Sequence, residues 1–324
     1  MGVVVGVDGG NTKTDLVVAS VEGEPLAYLR GPGSSAHGPG GPHGAVAVVA
    51  HLAARAPLSP PAEHGAFFLC GADVPADFEQ LALALVAQPW VRRVSVDNDT
   101  FALLRAGSEA ADAVAVVCGG GINAVGRAAD GRTTRYPSLG WETGDWGGSE
   151  DLGRDVLFHA ARGEDGRGEP TALTALVSSH FGLPTAGAVG EAVHYGRLRA
   201  ERLGELAAGV VTAAAGGDAV ARGLVERLAD EIALMAARAL RDLRLAEAEV
   251  VLGGGMLRAG EGSLHDAVVA RLRVRCPGAR PVVAVDPPVV GAALAALDAV
   301  GAPPAAGARL RAAFRAGLVP EDVR

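Results

Sequence analysis

The sequence predicts an α/β protein of two lobes, each built on a mixed β-sheet with helices on its faces. The chain has 324 residues, which is more than a single hydrophobic core usually serves. Strand patterns alternate with helical patterns, and the succession of strand, Gly-rich polar turn and strand occurs at the start of the chain and again from Ala113. This restart predicts an internal structural duplication.

The first half is expected to open with a three-stranded meander, because three short apolar runs are separated by polar turns. A loop rich in Gly, Pro, Ser and His spans 31–44 and leads into a helix that ends near Arg55. Strands are predicted at 3–7, 16–19, 26–29, 66–70 and 93–96. Further helices are predicted at 76–86 and from Asp99.

In the second half helices are expected over most of 149–244, the longest at 218–244, and the last helix is amphipathic. Strands are predicted at 113–118, 124–127, 250–252 and 282–285, and the last two helices at 291–300 and 306–316. We expect one lobe to comprise 1–112 with 301–324, and the larger lobe to comprise 113–300.

Charge and composition exclude several classes of protein. The net charge of -8 and a pI near 5.5 leave no basic footprint, so we expect no nucleic-acid partner. The three cysteines are too widely spaced for a disulfide framework or a metal-ligand cluster. No apolar run reaches the roughly 18 residues that span a bilayer, and no basic leader precedes the first strand, so we expect a cytoplasmic location and no membrane partner.

Three Gly-rich turns, at 8–14, 119–123 and 253–255, each follow a predicted strand directly. Glycine lets backbone N–H groups converge on phosphate oxygens, although each turn taken alone is also an ordinary tight turn. Together they predict a nucleotide cleft between the lobes, and Lys13, the only lysine of the chain, lies in the first turn. Neither a P-loop motif nor a Gly-x-Gly-x-x-Gly motif is present.

The segment Asp8-Gly-Gly-Asn-Thr-Lys-Thr-Asp resembles the first phosphate motif of N-acetylglucosamine kinases and of the related ATPases that activate benzoyl-CoA-type reductases. The resemblance extends over most of the chain and implies an actin-like (ribonuclease H-like) ATPase fold with an interlobe cleft. Further segments resemble the family's sugar loop (31–35), catalytic segment (96–104), second phosphate motif (119–127), adenosine motif (253–256) and interlobe helix (288–293).

The resemblance also implies roles for single residues. Asp99 would take the proton of the sugar hydroxyl, unless it serves as a helix N-cap in place of Asp97 or Asn98. Asp8 would hold Mg²⁺ through water, or would act only as a turn residue. The expected nucleotide contacts are Gly9, Gly10, Asn11, Thr12, Lys13, Gly120, Gly121, Asn123, Gly254 and Gly255. The expected sugar contacts are Ser34, Ser35, Asn98, Asp99, Trp141, Glu142 and Asp145.

The segment from Gly140 to Gly153 resembles a family stretch in which an Asp lies at the sugar and phosphate end of the cleft, and Asp145 keeps that Asp. Ser35 stands where N-acetylglucosamine kinases carry an Asn. Four acids and no base occur in this segment, at Glu142, Asp145, Glu150 and Asp151. Such a cluster favours a cationic group such as the ammonium of glucosamine, although a solvated helix start explains it as well. Trp141 and Trp146 would contact the sugar ring or lie in the core.

The sequence therefore predicts phosphoryl transfer from Mg·ATP to the 6-hydroxyl of an amino sugar, with glucosamine as the first candidate and N-acetylglucosamine as the alternative. A reductase-activating ATPase would need clustered cysteines for an iron–sulfur cluster. A sugar-responsive repressor would need a DNA-reading module and a basic face. The oligomeric state stays open, a homodimer included.

Overall fold

A computed structural model describes residues 2–58, 60–257 and 263–323 of the chain. The chain forms two units: Met1–Ala115 with Ala284–Arg324 make the first, and Val116–Val283 make the second. Both units are α/β in class, and each is built on one mixed sheet, as the sequence predicts.

The strands are β1 Val3–Gly9, β2 Lys13–Ser20, β3 Pro25–Pro32, β4 His64–Leu69, β5 Val94–Asp97, β6 Ala113–Cys118, β7 Ile122–Arg127, β8 Thr133–Arg135, β9 Ala248–Gly253, β10 Ala279–Val283 and β11 Glu321–Asp322. The α-helices are α1 Gly41–Ala53, α2 Pro75–Val86, α3 Asp99–Gly107, α4 Gly148–Glu164, α5 Leu173–Phe181, α6 Ala186–His194, α7 Ala207–Ala215, α8 Ala219–Leu243, α9 Ser263–Arg275, α10 Pro288–Ala299 and α11 Pro304–Arg315. Short 3₁₀ helices lie at Gly140–Thr143 and Ala200–Leu206.

The sheet of the first unit has the strand order β11-β3-β2-β1-β4-β5. Strands β1, β2 and β3 pair antiparallel, which confirms the predicted meander. Strands β4 and β5 run parallel to β1, and α2 connects them, as in a strand–helix–strand unit. The two-residue edge strand β11 pairs with β3 and has no apolar pattern from which it could have been predicted.

Alternation along β1 divides the first unit into two hydrophobic layers. Val3, Val5 and Val7 point into a core shared with α1 and α2, whereas Val4 points into a core shared with α10 and α11. Successive side chains of a strand point to opposite faces, so this fully apolar run covers both faces of the sheet. Strand β1 is therefore the central buried strand of the unit.

Helix α10 belongs to the first unit, whereas the sequence-based boundary placed 284–300 in the second lobe; that boundary is wrong for this segment. The helix packs on β1 and α3 at two glycines. A Cβ atom on Gly6 would collide with the backbone of Ala293, and a Cβ on Gly291 would collide with the carbonyl of Ala102. Glycine at both positions thus allows the helix backbone to lie directly against its neighbours.

The second unit has the strand order β10-β9-β6-β7-β8, with β9 and β10 parallel and β7 and β8 antiparallel. The sequence predicted that this strand ends at Val285, but β10 ends at Val283. Its register with β9 pairs Val283 with Leu252, which lies near the end of β9. Val285 is 81% exposed. The longest helix, α8, is preceded by its N-cap residue Asp218. It packs against α7, α9 and β7.

Within the part of the chain that the structure describes, no single helix has both the length and the apolar composition needed to cross a bilayer. One bent pair, Ala200–Ala215 with Ala219–Leu243, meets these requirements only when its two parts are counted together.

The contact at Gly6 predicts a large loss of stability on adding one methyl group. We expect Gly6→Ala to lower the free energy of unfolding by about 2 kcal/mol or more, because helix backbone has to move to admit the Cβ. Gly223→Ala is the matched control, since Gly223 lies within α8 with open space around a Cβ. This control should be neutral or stabilising by about 0.5–1 kcal/mol. Urea denaturation followed by circular dichroism measures both, and equal effects would contradict the packing described for α10.

Candidate functional site

Three parallel strands of the first unit end at one edge of its sheet, and polar residues follow each of them. Asp8 lies next to the end of β1, Cys70 follows β4, and Asn98 follows β5. The registers pair Gly9 with Leu69, and Phe68 with Asp97, so the three strand ends are level. This edge is where ligands of open α/β sheets commonly bind.

Asp99 is the first residue of α3, and the preceding residue caps the helix. The side-chain oxygen of Asn98 accepts a hydrogen bond from the backbone N–H of Thr100 at 2.9 Å. The N-cap role that the sequence left open among these residues thus belongs to Asn98. Asp99 is partly buried, and this burial raises the pKa of its carboxyl to about 6, although hydrogen bonds from Thr100 act in the opposite direction. At neutral pH Asp99 is mostly ionised, and it is more basic than an ordinary aspartate.

Asp73 is a carboxylate of this edge that the sequence analysis missed. Its Oδ1 accepts a hydrogen bond from the side-chain amide of Asn98 at 2.8 Å. Burial raises the pKa of Asp73 to about 7; the charge of His37 lowers this pKa, and the charge of Asp99 raises it. The signal in the sequence was its position, because Asp73 follows β4 by a few residues much as Asn98 and Asp99 follow β5.

The loop that resembles a sugar loop is fastened to the same edge. The backbone N–H of Ala36 donates to the carbonyl of Cys70 at 2.8 Å, and that of Ser34 donates to the carbonyl of Gly10 at 3.0 Å. Ser34 is only 1% exposed, and its hydroxyl accepts a hydrogen bond from Thr14 at 2.8 Å. Ser35 is partly exposed and hydrogen-bonds to Cys70. Of the two serines, Ser35 is the one with an accessible side chain.

The first Gly-rich turn links β1 to β2 and carries the lysine. The N–H of Gly10 donates to the carbonyl of Lys13 at 2.9 Å, which closes the turn, while Asn11 and Thr12 are exposed at its tip. The ammonium of Lys13 lies 2.8 Å from Oδ2 of Asp15, which is buried. Arg30 donates two hydrogen bonds to the same carboxylate, at 2.6 and 2.9 Å.

In the second unit one pocket of about 370 Å³ joins the second Gly-rich turn to the acidic segment. Its walls include Gly120, Gly121, Ile122, Ser138, Leu139, Gly140, Trp141, Glu142, Asp145, Gly147, Glu150, Asp151 and Arg154. The structure thus brings the predicted sugar residues of this unit next to two of its predicted phosphate residues. It also adds Arg154, which pairs with Asp151 at 3.4 Å and lies beyond the segment in which no base was found.

Backbone contacts at the start of α4 hold the second Gly-rich turn in place. The N–H groups of Ser149 and Glu150 donate to the carbonyls of Gly119 and Gly120 at 2.8 and 3.0 Å. Gly148 has φ +78 and lies so close to Gly120 that any Cβ would collide with its carbonyl. A side chain at 148 would therefore push the turn away from the helix.

Open space lies beside two of the glycines expected to bind phosphate. A Cβ built on Gly121 or Gly255 would meet nothing within 4 Å, so a ligand can approach the backbone there. Gly254 has φ +91 and packs against the carbonyl of Cys118, which requires glycine. Asn123 is only 8% exposed, and its side-chain oxygen accepts from the N–H of Ala124 at 2.7 Å.

The two tryptophans of the acidic segment differ in their surroundings. Trp146 is 6% exposed, and the guanidinium of Arg227 stacks on its ring at 3.7 Å from the centroid. It therefore belongs to the core, one of the two roles that the sequence left open. Trp141 is 78% exposed at the margin of the pocket, where its ring can contact a ligand.

The residues beside the Gly-rich turns are chemically suited to Mg·ATP. Magnesium uses few protein carboxylates and keeps several waters, so Asp8, a partly buried carboxylate beside the first turn, fits it. No group of three His, Cys, Asp or Glu side chains within the described ranges is arranged to hold a metal ion. The open backbone at Gly121 and Gly255 and the partly exposed Lys13 fit a polyphosphate.

Two sugar kinases are similar in sequence to part of this chain. An N-acetyl-D-glucosamine kinase of Dictyostelium discoideum is 26% identical over 190 residues, which is 54% of this chain and 59% of that protein. An N-acetylmuramic acid/N-acetylglucosamine kinase of Clostridium acetobutylicum is 25% identical over 189 residues, covering 58% and 62%. The matched part thus spans less than two thirds of either relative.

Solved structures show the fold. A candidate N-acetylglucosamine kinase from Chromobacterium violaceum superposes with a TM-score of 0.72 at 23% identity, covering 91% of this chain and 98% of that one. A ROK family glucokinase from Streptomyces griseus, solved with glucose and AMPPNP, superposes with a TM-score of 0.54 at 19% identity over 91% and 98%. Both likenesses support the actin-like α/β fold class expected from the sequence.

The family model described as the BadF/BadG/BcrA/BcrD ATPase family matches residues 5–296. This range includes the three Gly-rich turns, the edge with Asp73 and Asp99, and the acidic pocket. The chain therefore belongs to the BadF/BadG/BcrA/BcrD ATPase family.

Proposed function

We propose that this protein transfers the γ-phosphoryl group of ATP to the 6-hydroxyl of an amino sugar, with glucosamine as the substrate and N-acetylglucosamine as the alternative. The observation that carries the proposal is the position of Asp99. Its carboxylate starts α3 near Cys70, which hydrogen-bonds to Ser35, and burial raises the pKa of Asp99 to about 6. A carboxylate that is ionised yet unusually basic near neutral pH suits a general base for a sugar hydroxyl.

The neighbours of Asp99 favour this role. Asn98 is 3% exposed, and its amide bonds both to Thr100 and to Asp73, so it orients the start of α3. Ser35 has the accessible hydroxyl of the loop. Phosphoryl transfer needs little covalent help from the protein, and positioning of the acceptor and its base supplies much of the catalysis.

The nucleotide residues follow from the two units taken separately. In the first unit, the turn of Gly9, Gly10, Asn11, Thr12 and Lys13 would bind phosphate, and Asp8 would hold Mg²⁺ through water. In the second unit, Gly120, Gly121, Gly254 and Gly255 would contribute backbone contacts. Mg·ATP supplies the phosphoryl group and the cation that offsets its charge. Asp15 keeps the ammonium of Lys13 at the margin of the first turn.

Two observations bear on the identity of the sugar and favour different answers. The pocket of the second unit contains Glu142, Asp145, Glu150 and Asp151 against one arginine, which favours an ammonium group and so glucosamine. The relatives named above are N-acetylglucosamine kinases, which favours the acetamide. We place glucosamine first because the acidic walls are a property of this chain itself.

A second function, ATP hydrolysis that serves a partner protein, is favoured by the family to which the chain belongs. The two functions differ in one measurable respect. A kinase releases ADP in proportion to the sugar phosphate it forms, whereas such an ATPase releases ADP without a sugar.

The first prediction from the proposed function concerns the substrate. We expect kcat/KM to be highest for glucosamine, lower for N-acetylglucosamine and lowest for glucose, because the acidic pocket attracts the ammonium. A coupled assay of ADP release, with sugar phosphate counted by mass spectrometry, measures all three against a reaction without sugar. A higher value for N-acetylglucosamine would show that the acidic pocket does not select the substrate. Equal ADP release without sugar would favour the ATPase.

The second prediction concerns Asp99→Asn. We expect kcat to fall by at least about 10²-fold, because the amide cannot accept the proton, while the Kd for ATP stays nearly constant. The thermal midpoint should not fall, since burial opposes the charged form of Asp99. Asp97→Asn is the matched control, because Asp97 is a neighbouring carboxylate at the end of β5. Similar losses of kcat in both variants would indicate a structural role.

The third prediction is a pH dependence. Because Asp99 must be ionised to act as a base, log(kcat/KM) should fall as the pH drops through about 6, in line with its raised pKa. An ordinary aspartate would keep activity to about pH 4. The profile is best measured with N-acetylglucosamine, which has no titrating amine. The residual activity of Asp99→Asn should lack this acid limb, and an unchanged limb in that variant would assign the titration to another group.

A further inference from the structure

We propose that Asp73 is a positioning residue for the base. Its carboxylate holds the side-chain amide of Asn98, and this hydrogen bond fixes the N-terminus of α3 and with it the Asp99 carboxylate. The inference rests on the proposed function, because it gives Asp99 the role of base.

The side-chain amide of Asn98 is hydrogen-bonded through both its nitrogen and its oxygen. Its Nδ2 donates to Asp73 at 2.8 Å, and its Oδ1 accepts from the N–H of Thr100 at 2.9 Å. The side chain is 3% exposed, so water cannot easily replace either partner. A buried amide held at both ends allows only one orientation of the turn between β5 and α3.

The segment that carries Asp73 is in turn held by α2. Oδ2 of Asp77 accepts the backbone N–H groups of Asp73 at 3.2 Å and of Val74 at 3.0 Å. His37 approaches the same oxygen at 3.5 Å. The segment after β4 is thus fixed by a helix cap, and the carboxylate that it carries can position the segment after β5.

The carboxylates of this edge also interact electrostatically. Titratable groups gather around Cys70 and Asp73: Asp8 from β1, Asp99 from α3, Asp77 from α2 and His37 from the loop. Burial and then the charges of Asp99, Asp73 and Asp8 raise the pKa of the Cys70 thiol, which indicates an excess of negative charge. Two nearby carboxylates titrate as a coupled pair, so Asp73 also influences the protonation of Asp99.

Four variants test the hydrogen bond. Asp73→Asn keeps an acceptor for Asn98 and should keep kcat within about threefold of wild type. Asp73→Ala removes the acceptor and should lower kcat by at least about tenfold while KM for ATP changes little. Asn98→Ser keeps a residue that caps α3 but removes the amide donor to Asp73. If Asp73 acts through Asn98, the double variant Asp73→Ala/Asn98→Ser should be no slower than Asn98→Ser alone.

Glu79→Gln is the control, because it removes the charge of an exposed carboxylate on α2 outside this network. It should leave kcat unchanged. An Asp73→Ala variant with wild-type kcat, or losses that multiply in the double variant, would overturn the inference. A loss in Asp73→Asn equal to that in Asp73→Ala would overturn it as well, because the acceptor would then not be what matters.

A readout that needs no substrate separates this inference from the proposed function. Carboxyl ¹³C NMR titration of the free protein should show two coupled steps for Asp73 and Asp99, near pH 6 and 7. In Asp73→Asn only the step of Asp99 should remain. A wild-type protein that phosphorylates no sugar, yet shows this change, would refute the kinase proposal and support the coupling of Asp73 to Asp99. Titration of Asp99 that is identical in both proteins would refute this electrostatic coupling.

Discussion

The level pairing of β1, β4 and β5 is the constraint on which the candidate site of the first unit depends. Parallel strands in register end at the same edge, so residues from distant parts of the chain meet there without any loop of special length. A register shift of one residue would turn Asp8 to the opposite face of the sheet. Gly6 opposes such a shift, because a valine in its place would collide with the backbone of Ala293.

The sequence predicted the elements that local chemistry determines. The meander, the strand before Asp99, its helix start and the long α8 follow from apolar periodicity, turn residues and capping residues. The three Gly-rich turns were found for the same reason. Asp73 was missed because nothing in its neighbours distinguishes it from a turn residue; its contact with Asn98 spans 25 positions and exists only once β4 and β5 pair.

The same distinction explains the remaining differences. The first unit gains α10 because Gly6 and Gly291 permit close backbone contact, and a run of small residues does not reveal which sheet it will cover. In the second unit, Trp146 lies in the core because Arg227, from the distant helix α8, stacks on it. Arg154 joins the acidic pocket because the first turns of α4 bring it there. Each of these contacts joins residues far apart in sequence, or depends on where a helix begins.

The charges at the edge have a cost that follows from their pKa values. Burial raises the pKa of Asp73 and of Asp99, so each carboxyl stabilises the fold most when it is protonated. That contribution is complete below the ordinary aspartate pKa and is lost as the pH rises through about 6 and 7. Near neutral pH the edge is therefore held in an electrostatically unfavourable state by the packing around it. A structural role alone would favour neutral side chains here, whereas a base that accepts a proton from a hydroxyl requires this state.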